Sequence, residues 1–132
     1  METIFTKIIK GEIPCYKIDE NEQFIAFLDI SPLAKGHTLV VPKQQIDYIF
    51  DIDDDTLAAM TLYAKKIAKA IRKTVPCERI GVAVVGLEVP HTHIHLVPIS
   101  HIGDLNFQNP RVELTKEEFM AIAEGIAKNL EK

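Results

Sequence analysis

The chain has no tryptophan and only two cysteines, Cys15 and Cys77, far apart in sequence. Two distant thiols make no disulfide framework and fit a reduced, cytoplasmic setting. Long apolar runs are missing as well. The stretch from Ile80 to Leu87 is typical of them, and roughly 20 residues are needed to span a bilayer, so no membrane segment is expected. The start, Met1-Glu2-Thr3-Ile4-Phe5, lacks the charged opening and apolar stretch of a secretory signal. Basic charge is not in excess. Against 15 Lys and Arg stand 19 Asp and Glu, a net charge of −4 with His neutral. A nucleic-acid partner is therefore not expected, because such binding needs a basic surface that releases counterions. Low-complexity tracts, long-period repeats and Pro/Gly/Ser linkers are absent too. What is present is a balanced globular composition, 47% hydrophobic and 26% charged over 132 residues. That length predicts one domain over residues 1–132, with a core that buries about two-thirds of the unfolded surface.

Local patterns predict an α+β chain. Ile4, Phe5, Ile8 and Ile9 recur at helical spacing and give a turn or two of helix, ended by Gly11 and Pro14. Tyr16 to Asp19 and Phe24 to Leu28 flank Glu20-Asn21-Glu22 as a hairpin, closed by Asp29-Ile30-Ser31-Pro32. Thr38 to Val41 is a β-branched strand stopped by Pro42. Asp53 to Asp55 cap a long helix whose stripe is Leu57, Met60, Ala64, Ile67, Ala68 and Ile71. Ile80 to Gly86 and His91 to Pro98 read as two buried strands joined by a short turn. Thr115-Lys116-Glu117-Glu118 opens a last helix as a capping box, with Phe119, Ile122, Ala123, Ile126 and Leu130 on its apolar face. Hairpin-length links favour a five-stranded antiparallel sheet with two main helices over a parallel, doubly wound one.

Three of the five histidines fall within His91-Thr92-His93-Ile94-His95. On a strand, alternate side chains share a face, so the three imidazoles line one surface while Ile94 and Leu96 face the other. Three readings remain open. The row could be a solvated polar face. It could bind a metal, but His91 and His95 are roughly 13 Å apart on an extended strand at about 3.3 Å per residue, so outside ligands such as His37 or His101 would be needed. It could also act on phosphorus, with His93 as nucleophile and its neighbours as hydrogen-bond donors.

The motif His91-Thr92-His93-Ile94-His95-Leu96-Val97 resembles the signature of the histidine triad (HIT) superfamily, with Thr at its first apolar position. The run from Thr3 to Pro14 is similar to the opening of the Hint branch. Ala26 to Pro32 and Gly36 to Lys43 are similar to its nucleoside-binding region. The resemblance implies that His93 is the residue that becomes nucleotidylated, flanked by His91 and His95, with His95 near the phosphate and leaving group and His37 as a fourth histidine. It implies that Asp29 takes the ribose hydroxyls and that Ile4, Phe5, Ile8, Phe27 and Ile30 enclose a purine. A carboxylate suits a cis-diol, and aromatic and branched side chains suit a flat base. No cofactor and no metal are implied.

Two departures stand out. The strand Gly81 to Gly86 lacks the Asn usual in Hint proteins, and Glu88 stands where their phosphate-loop Ser would be. A carboxylate beside a phosphate is repulsive unless protonated or turned away, so Glu88 either points outward or meets a cationic or amine leaving group. The expected function is hydrolysis at the α-phosphorus of purine nucleoside 5′-phosphate derivatives of the phosphoramidate type. The alternatives are a nucleotide binder with little turnover and a dinucleoside-polyphosphate hydrolase. A homodimer is also expected, its sheet extended across a twofold axis. The apolar run Ile80 to Gly86 fits a strand buried on both faces. Leu62, Tyr63 and Ala70 lie off the stripe of the long helix, which suggests a second partner for that helix.

Overall fold

The computed structural model describes residues 1–131. Its strands are β1 Lys17–Glu20, β2 Phe24–Leu28, β3 Thr38–Pro42, β4 Arg79–Ala83 and β5 Ile94–Ile99. They form one sheet in the order β1-β2-β3-β5-β4, every pair antiparallel. The helices are α1 Ile4–Ile9, α2 Asp54–Thr74 and α3 Lys116–Lys128. The chain thus has the α+β architecture that the sequence pattern predicts. None of the helices among the described residues is long and apolar enough to cross a membrane.

The caps are where the sequence puts them. The Asp53 carboxylate accepts from the Thr56 amide at the start of α2. Thr115 and Glu118 exchange hydrogen bonds at the start of α3, satisfying donors that an uncapped helix leaves orphaned. α1 is capped by the Thr3 hydroxyl, which accepts from the Thr6 amide.

β2 and β3 are buried at every position, because the sheet is covered on both faces. Phe24, Ala26, Leu28, Val40, Ile94 and Leu96 pack under α2 and α3. The alternate residues Ile25, Phe27, Leu39 and Val41 meet Phe5 of α1 on the other face. The period-2 alternation of strand side chains therefore sorts one apolar run into two cores. The histidines belong to the second face.

Three expectations are corrected. First, β5 begins at Ile94 and β4 ends at Ala83, so His91 and His93 lie outside the strand and residues 84–93 form a ten-residue connection. β3 pairs with β5 only from Thr38 to Val40. Beyond that point the Pro42 carbonyl is taken by the His91 ring, and the Thr92 amide bonds Ile46. Second, β4 is one of the two sheet edges, and its Val82 is 62% exposed rather than buried on both faces. Third, the second partner of α2 lies within the same chain. Tyr63 and Ala70 are buried. Tyr63 packs on Phe24 and donates to the Asp19 carboxylate at 2.8 Å. α3 lies against α2 so closely that a Cβ on Gly125 would come within 2.9 Å of Thr74. Of the off-stripe side chains, Leu62 stays exposed.

Candidate active site

A cavity of about 460 Å³ opens between α1, the 84–93 connection and the chain that follows β5. Its volume lies within the roughly 300–1,000 Å³ of small-molecule sites. Ile4, Phe5, Ile8, Phe27, Asp29, Ile30, His93 and His95 all line it. The remaining two sequence-predicted residues, His91 and His37, do not line it. Both are fully buried behind it.

The hydrogen bonds fix how each ring is protonated. The Nδ1 of His93 lies 2.7 Å from the His91 carbonyl. A carbonyl only accepts, so Nδ1 carries the proton and, in the neutral ring, Nε2 keeps its lone pair. The Nε2 of His91 likewise donates to the Pro42 carbonyl at 2.8 Å, and its Nδ1 accepts from the Thr3 hydroxyl at 2.8 Å. His91 is thereby pinned between β3 and the cap of α1, and its own carbonyl in turn orients His93.

A second chain runs through His37. The Leu33 amide donates to His37 Nδ1 at 3.0 Å, so His37 carries its proton on Nε2. That proton points to His95 Nδ1 at 3.0 Å, which leaves the His95 proton on Nε2. Burial, with the His95 ring and Arg111 adding to it, lowers His37 to about 3. Burial, with His93 and Arg111 adding to it, lowers His95 to about 4. Both rings are therefore neutral at physiological pH. The site presents a lone-pair nitrogen on His93 and a neutral N–H donor on His95, in rings 4.9 Å apart.

Asp29 holds its turn by accepting from the Ser31 amide at 2.8 Å. Burial pushes its carboxyl up, against the pull of that amide and of Arg111. Asp29, His37 and His95 bring three donor atoms within 4.8 Å of one another. Both His37 nitrogens are already committed, to Leu33 and to His95, so a cation there would have to break the chain that sets the His95 proton.

Phe107 and Arg111 also line the cavity, and no motif in the sequence pointed to either. An aromatic residue within the polar stretch 100–111 was the one available signal. Glu88 lines the mouth with an exposed side chain. His101 is exposed and away from the cavity, capping a short turn.

Residues 10–102 match the HIT domain family. The adenosine 5′-monophosphoramidase hnt1 of Schizosaccharomyces pombe is 34% identical, over 98% of this chain and 99% of that protein. The protein hit of Bacillus subtilis is 36% identical, over 96% and 93% of the two chains. A crystal structure of a Hit-like protein involved in cell-cycle regulation from Bartonella henselae superposes with a TM-score of 0.84 at 33% identity, covering 98% of this chain and 96% of that one. The chain belongs to the HIT family.

Proposed function

We propose that the chain, working as a single domain, hydrolyses purine nucleoside 5′-phosphate derivatives at the α-phosphorus, phosphoramidates among them, through a nucleotidylated His93. The observation that carries this reading is the locked proton pattern: a free Nε2 on His93 beside an Nε2–H on His95, in a cavity also lined by aromatic and aliphatic side chains. The likeness to a protein named as an adenosine 5′-monophosphoramidase supports the same class of substrate.

In the proposed cycle the base lies against Phe5 and Phe27 and the ribose hydroxyls meet Asp29. His93 Nε2 forms a bond to phosphorus while the bond to the leaving group breaks, its electron pair going with that group, which takes a proton from water. The His91 carbonyl accepts from Nδ1–H and so stabilises the charge that develops on the His93 ring. The His95 N–H donates to the phosphoryl oxygens or the departing atom. A water molecule then attacks phosphorus, the electron pair returns to His93, and the water's proton goes to solvent. The nucleoside monophosphate leaves.

The test is a turnover screen with adenosine and guanosine phosphoramidates beside His93→Ala. Turnover of either substrate that falls by several orders of magnitude in the variant supports the reading. Wild-type-like turnover in His93→Ala sinks it. Glu88 at the mouth favours a second reading, a binder with little turnover, and tight binding of nucleoside monophosphates without hydrolysis in the same screen identifies it.

We also infer a homodimer paired along β4, where Val82 is open on an edge strand and Val84, Val85 and Leu87 follow it exposed. Pairing such edges covers apolar surface and removes an aggregation-prone border. A cytoplasmic setting fits the two free thiols.

A further inference from the structure

Apart from histidine, one basic side chain lines the cavity among the described residues, and it is Arg111. The same cavity carries two carboxyl groups, Asp29 and Glu88, while burial holds His37 and His95 neutral. A phosphate-bearing substrate brings more negative charge to this wall. The fixed positive charge that meets it comes from Arg111.

The arginine is exposed but tethered at both terminal nitrogens. Nη1 donates to the Ser31 carbonyl at 2.9 Å and Nη2 to the Phe107 carbonyl at 3.2 Å. Its guanidinium lies 5.7 Å from the Phe107 ring centroid, a cation–π contact. Of the five N–H donors on a guanidinium, these bonds use two, and three remain for a ligand.

Its position follows from a row of rings. Phe27 meets Phe5 at 5.8 Å, Phe5 meets His93 at 4.9 Å, His93 meets His95 at 4.9 Å, and His95 meets Phe107 at 4.7 Å. Arg111 then caps Phe107. The row runs from the apolar end, through the nucleophile and the His95 donor, to the guanidinium. With the base against Phe5 and phosphorus at His93, the guanidinium sits on the far side of His95 and Phe107 from the nucleophile in this row of contacts, beside the turn that carries Asp29. The tie to Ser31 also fastens it to the turn that carries Asp29, so its distance from the reacting atoms is set by the fold.

We propose that Arg111 is the receptor for an anionic group on the leaving side of the substrate, a carboxylate or a phosphate carried beyond the bond that is cut. This rests on the hydrolase reading above and narrows it to leaving groups with a negative charge of their own. A planar guanidinium with paired donors suits both anions. Glu88 reaches the cavity from the 84–93 connection, so an anionic leaving group gains only where it lies nearer to Arg111 than to Glu88.

Three matched adenosine 5′-phosphoramidates test this, nitrogen-linked to glycine, to aminomethylphosphonate and to glycinamide. They share the nucleotide and the P–N bond and differ in carrying a carboxylate, a phosphonate or no charge. The readout is the ratio of kcat/KM for each anionic substrate to that for the neutral one. In the native protein at least one ratio is ten or more, and the larger ratio identifies the anion. Arg111→Gln brings both ratios close to one, and Arg111→Lys retains part of the preference because it keeps the charge. Native ratios near one overturn the proposal. So do ratios that survive in Arg111→Gln, or an equal loss on all three substrates, which would put Arg111 on the nucleotide's own phosphate. A native protein that cleaves none of the three while binding AMP overturns the hydrolase reading itself, and this proposal with it.

Discussion

His37 is fully buried and uses both nitrogens, one to accept from Leu33 and one to donate to His95, so its two roles can be removed one at a time. An asparagine amide overlays the Nδ1 side of the ring and keeps an acceptor for the Leu33 amide, but it loses the donor to His95. A glutamine amide reaches the Nε2 side, keeps that donor and abandons Leu33. An orphaned buried amide costs about 1–3 kcal/mol, so His37→Gln loses stability by about that amount. Without the His37 donor, the His95 proton is no longer fixed on Nε2. The net worth of one such hydrogen bond is about 0.5–1.5 kcal/mol, which at about 1.4 kcal/mol per decade gives up to a ten-fold loss of kcat in His37→Asn. Urea unfolding reads the first effect and steady-state turnover the second. If Asn and Gln lower kcat equally, or if Gln is the slower enzyme, the proton-locking argument is wrong.

Asp29→Ala weakens nucleoside monophosphate binding by about 1.5–3 kcal/mol, the range for a hydrogen bond to a charged group, and spares 2′,3′-dideoxy analogues. Equal loss for both ligands in a titration would reduce Asp29 to its turn-holding bond with Ser31. Stability falls on acidification because His95 and His37 stay neutral to about 4 and about 3 when folded, whereas unfolded histidines take up protons near 6.5. The unfolded state therefore binds more protons in that window. The contribution is complete above about 6.5 and declines toward about 4, by up to about 1.4 kcal/mol per pH unit for each ring. Identical urea midpoints at about pH 7.5 and about pH 5 would contradict this. Light scattering of the native protein gives twice the 14.8 kDa chain mass. Val82→Glu gives the monomer and Leu62→Glu leaves the dimer intact. A native monomer, or a dimer that survives Val82→Glu, removes β4 as the interface.

Much of this molecule was legible in its sequence because the signals were local. A cap lies a few residues from what it caps, so Asp53 and Thr115 announced α2 and α3. The spacing of Ile4, Phe5 and Ile8 announced α1 and, through the family resemblance, a wall of the cavity. What stayed hidden depends on segments distant in sequence. The apolar run Ile80 to Gly86 reads as a buried strand, but topology makes β4 an edge, and no local pattern encodes strand order. Tyr63 lay off the stripe of α2 and suggested an outside partner, yet Phe24 and Asp19 receive it. The alternation of the triad implied one strand, but Pro42 gives its carbonyl to His91 and the ladder starts only at Ile94. Arg111 and Phe107 reach the site by a return of the chain after β5, and a lone arginine between Pro110 and Val112 carries no signal.

The central claim is that His93 carries the nucleotide between the two steps. The direct measurement is rapid mixing of the native protein with an α-phosphorus-labelled adenosine phosphoramidate, denaturation without acid to preserve a P–N bond, and peptide mapping of the label. The label is expected on the peptide containing His93, appearing before free AMP reaches its steady rate, and absent from His93→Ala. Steady turnover with no labelled peptide at any time, or a label on a different residue, contradicts the account.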